Sequence, residues 1–439
     1  MSSYIRKKTP GDTAWFTHDR FGLFIHFGLY ALPARHEWIK TREFISEEKY
    51  QKYFDHFDPD LLDARQWAKD AKAAGMKYAV ITSKHHEGFC LFDSQYTDYK
   101  VTNTPYGKDI IREFVDAFRA EGLKVGFYYS LLDWHHPDYP IDRNHPRRND
   151  PNAAELDQGR DMKKYAEYMR NQVTELLTNY GKIDILWFDF SMPPLAGAPE
   201  WMQFGGGKGK DQWESEEMIA LCRRLAPDLI INDRLQIPQD LSTPEQTQPT
   251  SWPQDPETGE YLTWEACQTM SGSWGYFRDE RSWKNPGMLI GLLVRSVALG
   301  GNLIMNVGPT GRGTFDGRAR KALQEYADWM SVNSRSIYGC TMAEPDLKVT
   351  EGAVLTQSED GKRLYLHLLD FPFHRVSIEG LTPERIEYMQ FLADASEAFY
   401  SVSTNRHDAT GAPLPDKINI TLPGLAFETN CPVIEIFLK

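Results

Sequence analysis

Cysteine is scarce and scattered in this chain. Its five residues, Cys90, Cys222, Cys267, Cys340 and Cys431, are odd in number and include no CxxC pair. That spacing indicates neither a zinc site nor a disulfide framework and leaves buried thiols as the expectation. Long apolar runs are also missing. None approaches the roughly 18 residues of a membrane-spanning helix, and the opening stretch Met1 to Asp12 has no apolar signal core, so a reducing cytoplasm is expected. Basic residues are in deficit, 49 against 62 acidic ones, for a net charge of -13. A balance of that sign gives no footprint for nucleic acid and disfavours anionic membranes. No GxGxxG follows the first strand, which removes the usual support for dinucleotide binding. No G-x-S-x-G elbow offers a serine nucleophile.

What the chain has in quantity is aromatic surface: 12 Trp, 21 Tyr and 23 Phe among 439 residues. Such surplus suits the apolar faces of sugars, and two or three domains are expected at this length. Short apolar runs at Arg20 to Phe27, Lys77 to Ser83, Lys124 to Ser130, Ile183 to Asp189, Asp228 to Asp233 and Asn302 to Val307 read as six strands. They alternate with helical periods at Leu62 to Ala74, Asp109 to Glu121, Arg160 to Tyr180 and Ser215 to Leu225, with a later helix at Gly317 to Ser334. Gly75, Gly122 and Gly181 stand just past the first three helices, where a residue with positive φ ends a helix cheaply. Alternation of this kind means a parallel sheet, and the α/β class with a (β/α)8-like barrel, irregular in places, is favoured over 1-340. Two stretches, Ser191 to Asp211 and Leu235 to Glu260, read as long loops; the second carries five prolines. Loops of that length inside a compact domain are commonly functional. Over 341-439 the texture changes to Lys348 to Gln357, Arg363 to Leu369, Arg375 to Glu379, Arg385 to Leu392, Lys417 to Leu422 and Val433 to Leu438, with a turn at Asp360-Gly361. A C-terminal β-sandwich domain is expected there.

In a β/α barrel the C-terminal ends of the strands line the active site. Here they deliver His26, then His85, His86 and Glu87, then Tyr128 and Tyr129, then Asp189, then Asn232, Asp233 and Arg234. Asp189 alone could equally be a helix cap. The repetition across strands is what favours chemistry. His85 and His86 are adjacent and on a strand would point to opposite faces, so they cannot chelate one ion together and only one is expected to enter the site. No metal or other cofactor is expected. Trp38, Trp187 and Trp274 offer apolar walls to a pyranose ring. With no serine or cysteine nucleophile indicated, carboxylates are the plausible catalysts, and glycoside hydrolysis uses two. Asp189 supplies one; Glu245, in the loop after the fifth strand, or Glu265 in Trp264-Glu265-Ala266-Cys267 supplies the other.

Several motifs in order, Arg20 to Gly28, Glu37-Trp38, Lys84 to Phe89, Tyr128-Tyr129-Ser130 with Asp133-Trp134, Leu186 to Asp189, Asn232-Asp233-Arg234, Thr243-Pro244-Glu245, Trp264 to Cys267 and Ser273 to Tyr276, resemble the α-L-fucosidases of glycoside hydrolase family 29. The resemblance spans roughly Trp15 to Gly339. It implies a barrel followed by a β-sandwich, and hydrolysis of terminal α-L-fucosyl groups with retention of configuration. By similarity Asp189 is the nucleophile, and His26, His85, His86, Glu37, Trp38, Tyr128, Arg234, Trp187 and Trp274 fall on pocket positions, with Tyr129 the alternative to Tyr128. Glu245 matches the acid/base position, with Glu265 the alternative. Two other readings remain open, an exo-glycosidase for α-L-galactosides and a fucose-binding protein without catalysis. A homo-oligomer is expected, through the segments around Glu200-Trp201-Met202 and Tyr388 to Tyr400. No nucleic-acid or membrane partner is expected.

Overall fold

A computed structural model describes residues 4–191, 208–372, 374–424 and 429–439. Seven parallel strands form one sheet: β1 (Phe21–Ile25), β2 (Tyr78–Lys84), β3 (Lys124–Ser130), β4 (Ile185–Asp189), β5 (Ile230–Ile231), β6 (Glu265–Thr269) and β7 (Asn302–Val307). Their order is β5-β4-β3-β2-β1-β7-β6. Between β5 and β6 lies the segment 241–245, which bridges both neighbours in parallel: Leu241 with Asn232, Ser242 with Trp264 and Glu245 with Cys267. Its backbone bonds, Glu265 N–H to Ser242 O at 2.9 Å and Gln246 N–H to Cys267 O at 3.0 Å, continue the ladder. Eight staves therefore close the ring, one of them too short to be a regular strand.

The alternation of side chains along these strands divides the apolar residues into two cores. Phe24, Tyr78, Val80, Tyr128, Ile185, Trp187, Ile230, Leu241, Cys267 and Ile304 fill the inside of the ring, with Phe16 packed among them. Phe21, Leu23, Ile25, Ala79, Ile81, Phe127, Leu186, Ile231 and Leu303 point outward under the helices. Both faces are covered, which is why the strand sequences read as continuous apolar runs. The helices start on side-chain caps: Asp63 accepts from Arg65 N and Gln66 N, Asp109 from Arg112 N, and Asp316 from Ala319 N. Gly75, Gly122 and Gly181 follow helix ends with φ of 84, 77 and 72 degrees.

The structure differs from the sequence expectation in several places. Strand β6 and the helix Pro286–Ala298 went unread, and β5 shrinks to two residues. Asn232 makes up for that shortness, because its side-chain amide bonds both Phe188 N (3.0 Å) and Phe188 O (2.8 Å) and so ties the end of β4 to the chain after β5. The stretch Leu235 to Glu260 is only partly loop, since it contains the barrel-closing segment 241–245.

The C-terminal strands form a five-stranded antiparallel sheet in the order Ile386–Phe391, Val433–Leu438, Arg363–Leu368, Ala353–Ser358, Cys340–Met342, and a four-stranded one ordered Tyr400–Ser403, Lys417–Thr421, Arg375–Glu379, Lys348–Val349. Leu364, Leu366, Val376, Ile378, Ile418, Ile420, Ile434 and Ile436 form the core between them. The expected single strand Lys348 to Gln357 is two strands in different sheets, parted at Gly352 with φ of 82 degrees.

Candidate active site

The strand ends converge. Asp189 ends β4, and its Oδ2 accepts from Tyr128 Oη at 2.7 Å across from β3, while its Oδ1 accepts from Arg234 Nη1 at 3.0 Å. The same Nη1 reaches Glu245 Oε2 at 3.1 Å, and Nη2 reaches that oxygen at 3.1 Å as well. One guanidinium thus holds both carboxylates, with the acceptor oxygens within about 6 Å of each other, compatible with the roughly 5 Å spacing of a nucleophile and an acid/base in retaining glycosidases. Arg234 is itself fixed by Thr243, through Nε to Oγ1 and Nη2 to the carbonyl oxygen, both at 3.1 Å. The two acids differ in setting. The Asp189 side chain is 15% exposed and that of Glu245 is 44% exposed. Burial pushes the Asp189 carboxyl above its ordinary range, opposed by the Arg234 charge and the Tyr128 hydrogen bond and reinforced by Glu245. The residue after each acid has left-handed backbone, Phe190 with φ of 76 degrees and Gln246 with φ of 53 degrees. For non-glycine residues that conformation is costly and clusters at functional sites.

A cavity of about 110 Å3 lies over this pair, walled by Phe24, Trp38, Trp187, Phe190 and Trp274 on apolar sides and by His85, His86 and Arg234 on polar ones. Trp187 and Asp189 are two apart on β4, so both face it. Both histidines line it, contrary to the expectation that one would point away. The alternation rule applies within a strand, and β2 stops at Lys84; the rings of His85 and His86 lie 4.1 Å apart in the turn that follows. His86 Nδ1 pairs with Ser130 Oγ at 2.6 Å and its Nε2 is 3.9 Å from Asp189 Oδ2. His26 sits deeper, 5.1 Å from the Trp274 ring and 5.6 Å from that of His85, with Nδ1 on Asn306 Oδ1 at 2.6 Å. Burial holds His26 down to about 3 and His85 and His86 well below the usual imidazole range, so all three are neutral hydrogen-bonding groups. Tyr128 is the inward member of its pair, and Tyr129 turns outward to Gln172 Oε1 at 2.8 Å.

Glu37 stands outside this cavity. Its buried carboxylate accepts from Gly275 N at 2.9 Å and Ser273 Oγ at 3.3 Å, which anchors the loop bearing Trp274. Glu265 is the first residue of β6, about four residues or roughly 13 Å below the rim, and it accepts from Tyr78 Oη, itself on the first residue of β2. Fully buried, it has its carboxyl pushed up to about 8 and does not line the cavity.

Sequence reasoning missed Phe190 and Asn306, and it placed Ser130 at a strand end without giving it a role. Asn306, one residue from the end of β7, bonds His26 through Oδ1 and the Trp274 carbonyl through Nδ2 at 2.6 Å. The strand-end rule that found the others reaches it when applied to Asn302 to Val307. Among the described residues no group of three or more His, Cys, Asp and Glu could hold a metal ion. Likewise, no helix is long and apolar enough to cross a membrane. The segment around Glu200-Trp201-Met202 lies outside the described residues.

A model of the α-L-fucosidase family matches residues 5–335. The α-L-fucosidase of Dictyostelium discoideum is 30% identical over 354 residues, 74% of this chain and 71% of that protein. Among solved structures, α-L-fucosidase isoenzyme 1 from Paenibacillus thiaminolyticus superposes with a TM-score of 0.85 at 43% identity, covering 97% of this chain and 98% of that one. A Bacteroides thetaiotaomicron α-L-fucosidase solved as a trapped covalent intermediate with 2-fluoro-fucosyl fluoride superposes with a TM-score of 0.81 at 27% identity, over 100% and 98% of the two chains.

Proposed function

Because the chain belongs to the α-L-fucosidase family, we propose that Asp189 attacks C1 of a terminal α-L-fucosyl group while Glu245 protonates the departing oxygen. The enzyme is a retaining α-L-fucosidase, and the reaction runs in two displacements. Asp189 forms an ester to C1 as the C1–O bond to the leaving group breaks and that oxygen takes the proton of Glu245. Water then gives a proton to the Glu245 carboxylate as its oxygen attacks C1, the ester bond from C1 to Asp189 breaks with its electron pair returning to the carboxylate, and L-fucose leaves. The observation that carries this reading is the shared guanidinium: Arg234 holds both carboxylates at a spacing compatible with a nucleophile and an acid/base.

Each neighbour has a part. Arg234 and Tyr128 favour the ionised form of Asp189 against the cost of burial. The neutral His26, His85 and His86 bind fucose hydroxyls, and Trp38, Trp187 and Trp274 face the ring and its C5 methyl; Glu37 acts by fixing the Trp274 loop. The greater exposure of Glu245 suits a group that meets a leaving group and then water. A fucose-binding protein without catalysis has no use for two acids so placed. The catalytic unit is 1-340 and the β-sandwich 341-439. Five free, buried thiols support residence in the cytoplasm. The exposed Tyr388, Phe399, Tyr400 and Val402 support an oligomer that covers that surface.

Three variants test the assignment. Asp189→Ala abolishes release of 4-nitrophenol from its α-L-fucoside, and undiminished turnover removes Asp189 as nucleophile. Glu245→Ala slows natural disaccharides far more than aryl fucosides with good leaving groups and is rescued by azide. If Glu265→Ala gives that signature, the acid/base assignment fails.

A further inference from the structure

Glu245 stands between two cavities, and the outer one carries charge that the reaction in the inner one does not use. The outer cavity, of about 570 Å3, shares Trp38, Glu245 and Trp274 with the inner one and extends over Arg42, Gln246 and Lys284. A residue that protonates a departing oxygen has the sugar on one side and the leaving group on the other. A fucosyl ring in the inner cavity therefore puts its leaving group in the outer one.

Arg42 and Lys284 are the cations of that wall. The exposed Arg42 guanidinium has no hydrogen-bond or ion-pair partner among the described residues, though its charge reaches Glu37 and His36 of the same wall. Lys284, half-buried, donates to the Thr269 carbonyl oxygen at 2.5 Å and meets no carboxylate among the described residues. Three acidic groups belong to this region. Glu37 lines the same wall and accepts from Gly275 N and Ser273 Oγ. Glu245 is held by Arg234. Glu280, beside Gly272 and Ser282, accepts from Arg281 N, Ser282 N and Ser282 Oγ through one oxygen. The protein carries a net charge of -13, yet two cations of this leaving-group wall form no ion pair with a carboxylate among the described residues. Partly exposed cations with no carboxylate partner at a cavity rim attract an anion from solution and orient it.

We propose that the outer cavity is a leaving-group subsite for a sugar bearing an anionic substituent, a sulfate, phosphate or carboxylate, which Arg42 and Lys284 bind. The proposal rests on the reading of Asp189 and Glu245 as the reacting pair.

The test compares kcat/KM for fucosyl disaccharides of one linkage whose second sugar is N-acetylglucosamine, its 6-sulfate, its 6-phosphate, or a hexuronic acid. At least one anionic substrate exceeds the neutral one by about fivefold at low salt, the scale of one partly exposed ion pair, and the preference shrinks as salt rises. The ratio of anionic to neutral kcat/KM falls toward one in Arg42→Met and in Lys284→Met. The three anionic arms identify which charge the site takes. Equal or poorer use of every anionic substrate, with the neutral one turned over, overturns the proposal, and so does a preference that both variants retain. The wild-type comparison stands by itself if a variant does not fold. Failure to release fucose from any of the substrates, or from an aryl fucoside, overturns the underlying reading of Asp189 and Glu245 instead.

Discussion

Arg234 is the residue on which the two acids depend together. Its guanidinium is planar and presents several donors at once, so one side chain satisfies Asp189 Oδ1 and Glu245 Oε2 while lying 4.9 Å from the Trp187 ring centroid. Removing that charge leaves two carboxylates close together in a partly dry cavity. Asp189 loses the strongest of the influences that hold its pKa down and keeps the burial and the Glu245 charge that raise it. The nucleophile proposed for this site, Asp189, must be ionised to attack, so in Arg234→Met the acidic limb of kcat/KM for an aryl fucoside is expected to move to higher pH, by about one to three units for loss of an adjacent opposite charge. An acidic limb left in place in a folded variant shows that another group sets it. Lys is not an equivalent replacement, because a single ammonium cannot offer the same fork.

At the scale of elements, the helix Pro286–Ala298 ties the barrel to the C-terminal sheets. Its sequence is apolar nearly all round, and Leu289, Ile290, Leu293, Val294 and Val297 are buried. The core around it takes in Tyr365, Leu392, Cys431 and Val433, and Trp329 Nε1 donates to the Cys431 carbonyl oxygen at 3.0 Å. A chain stopped at Gly339 bares that surface, so it is expected to aggregate rather than accumulate as soluble, active barrel, which expression and size-exclusion chromatography check. The same helix explains part of what the sequence hid. Amphipathic period reveals a helix with one wet face, and this one has almost none; only Asn285 as cap and Pro286 in the first turn mark it. Strand β6 hid for the opposite reason, since Glu265, Gln268 and Thr269 read as polar although all are buried. The strands with continuous apolar runs, β1 to β4 and β7, were legible almost to the residue. The barrel-closing segment 241–245 was not, because it is held by a few bridges and contains Pro244. In the site, strand ends could be read while the positions of side chains beyond them could not. His85 and His86 lie in the turn after β2, which no alternation rule describes, and the exclusion of Glu265 from the cavity depends on the strand beginning there.

For the whole molecule, burial of titratable groups sets how stability varies with pH. His26 and His367 are held down to about 3, His36 and His145 to about 4, and His85 and His86 well below 6.5, in each case chiefly by burial. As pH falls through 6.5, the unfolded chain binds protons at these six that the folded chain refuses, so stability drops on the acid side. The buried carboxyls act in the other direction. Glu37 and Glu87 are pushed up to about 7 and Glu265 to about 8, again chiefly by burial. From 4.5 upward the unfolded chain gives up protons that the folded chain retains at these three, so their effect is a loss of stability as pH rises toward 7 and 8. Below 6.5 the histidines outnumber the carboxyls, and above it the carboxyls act without them. The thermal midpoint is therefore expected to peak near pH 6.5 and to decline on both sides. Glu265→Gln tests the alkaline arm, because the amide can keep a hydrogen bond with Tyr78 and cannot ionise. The variant gains on wild type at about pH 8.5, by an amount of the order of a few kcal/mol, and the gain shrinks toward about pH 5. Midpoints that run parallel for the two proteins between about pH 6.5 and 8.5 would show that Glu265 is not the group whose ionisation weakens the barrel.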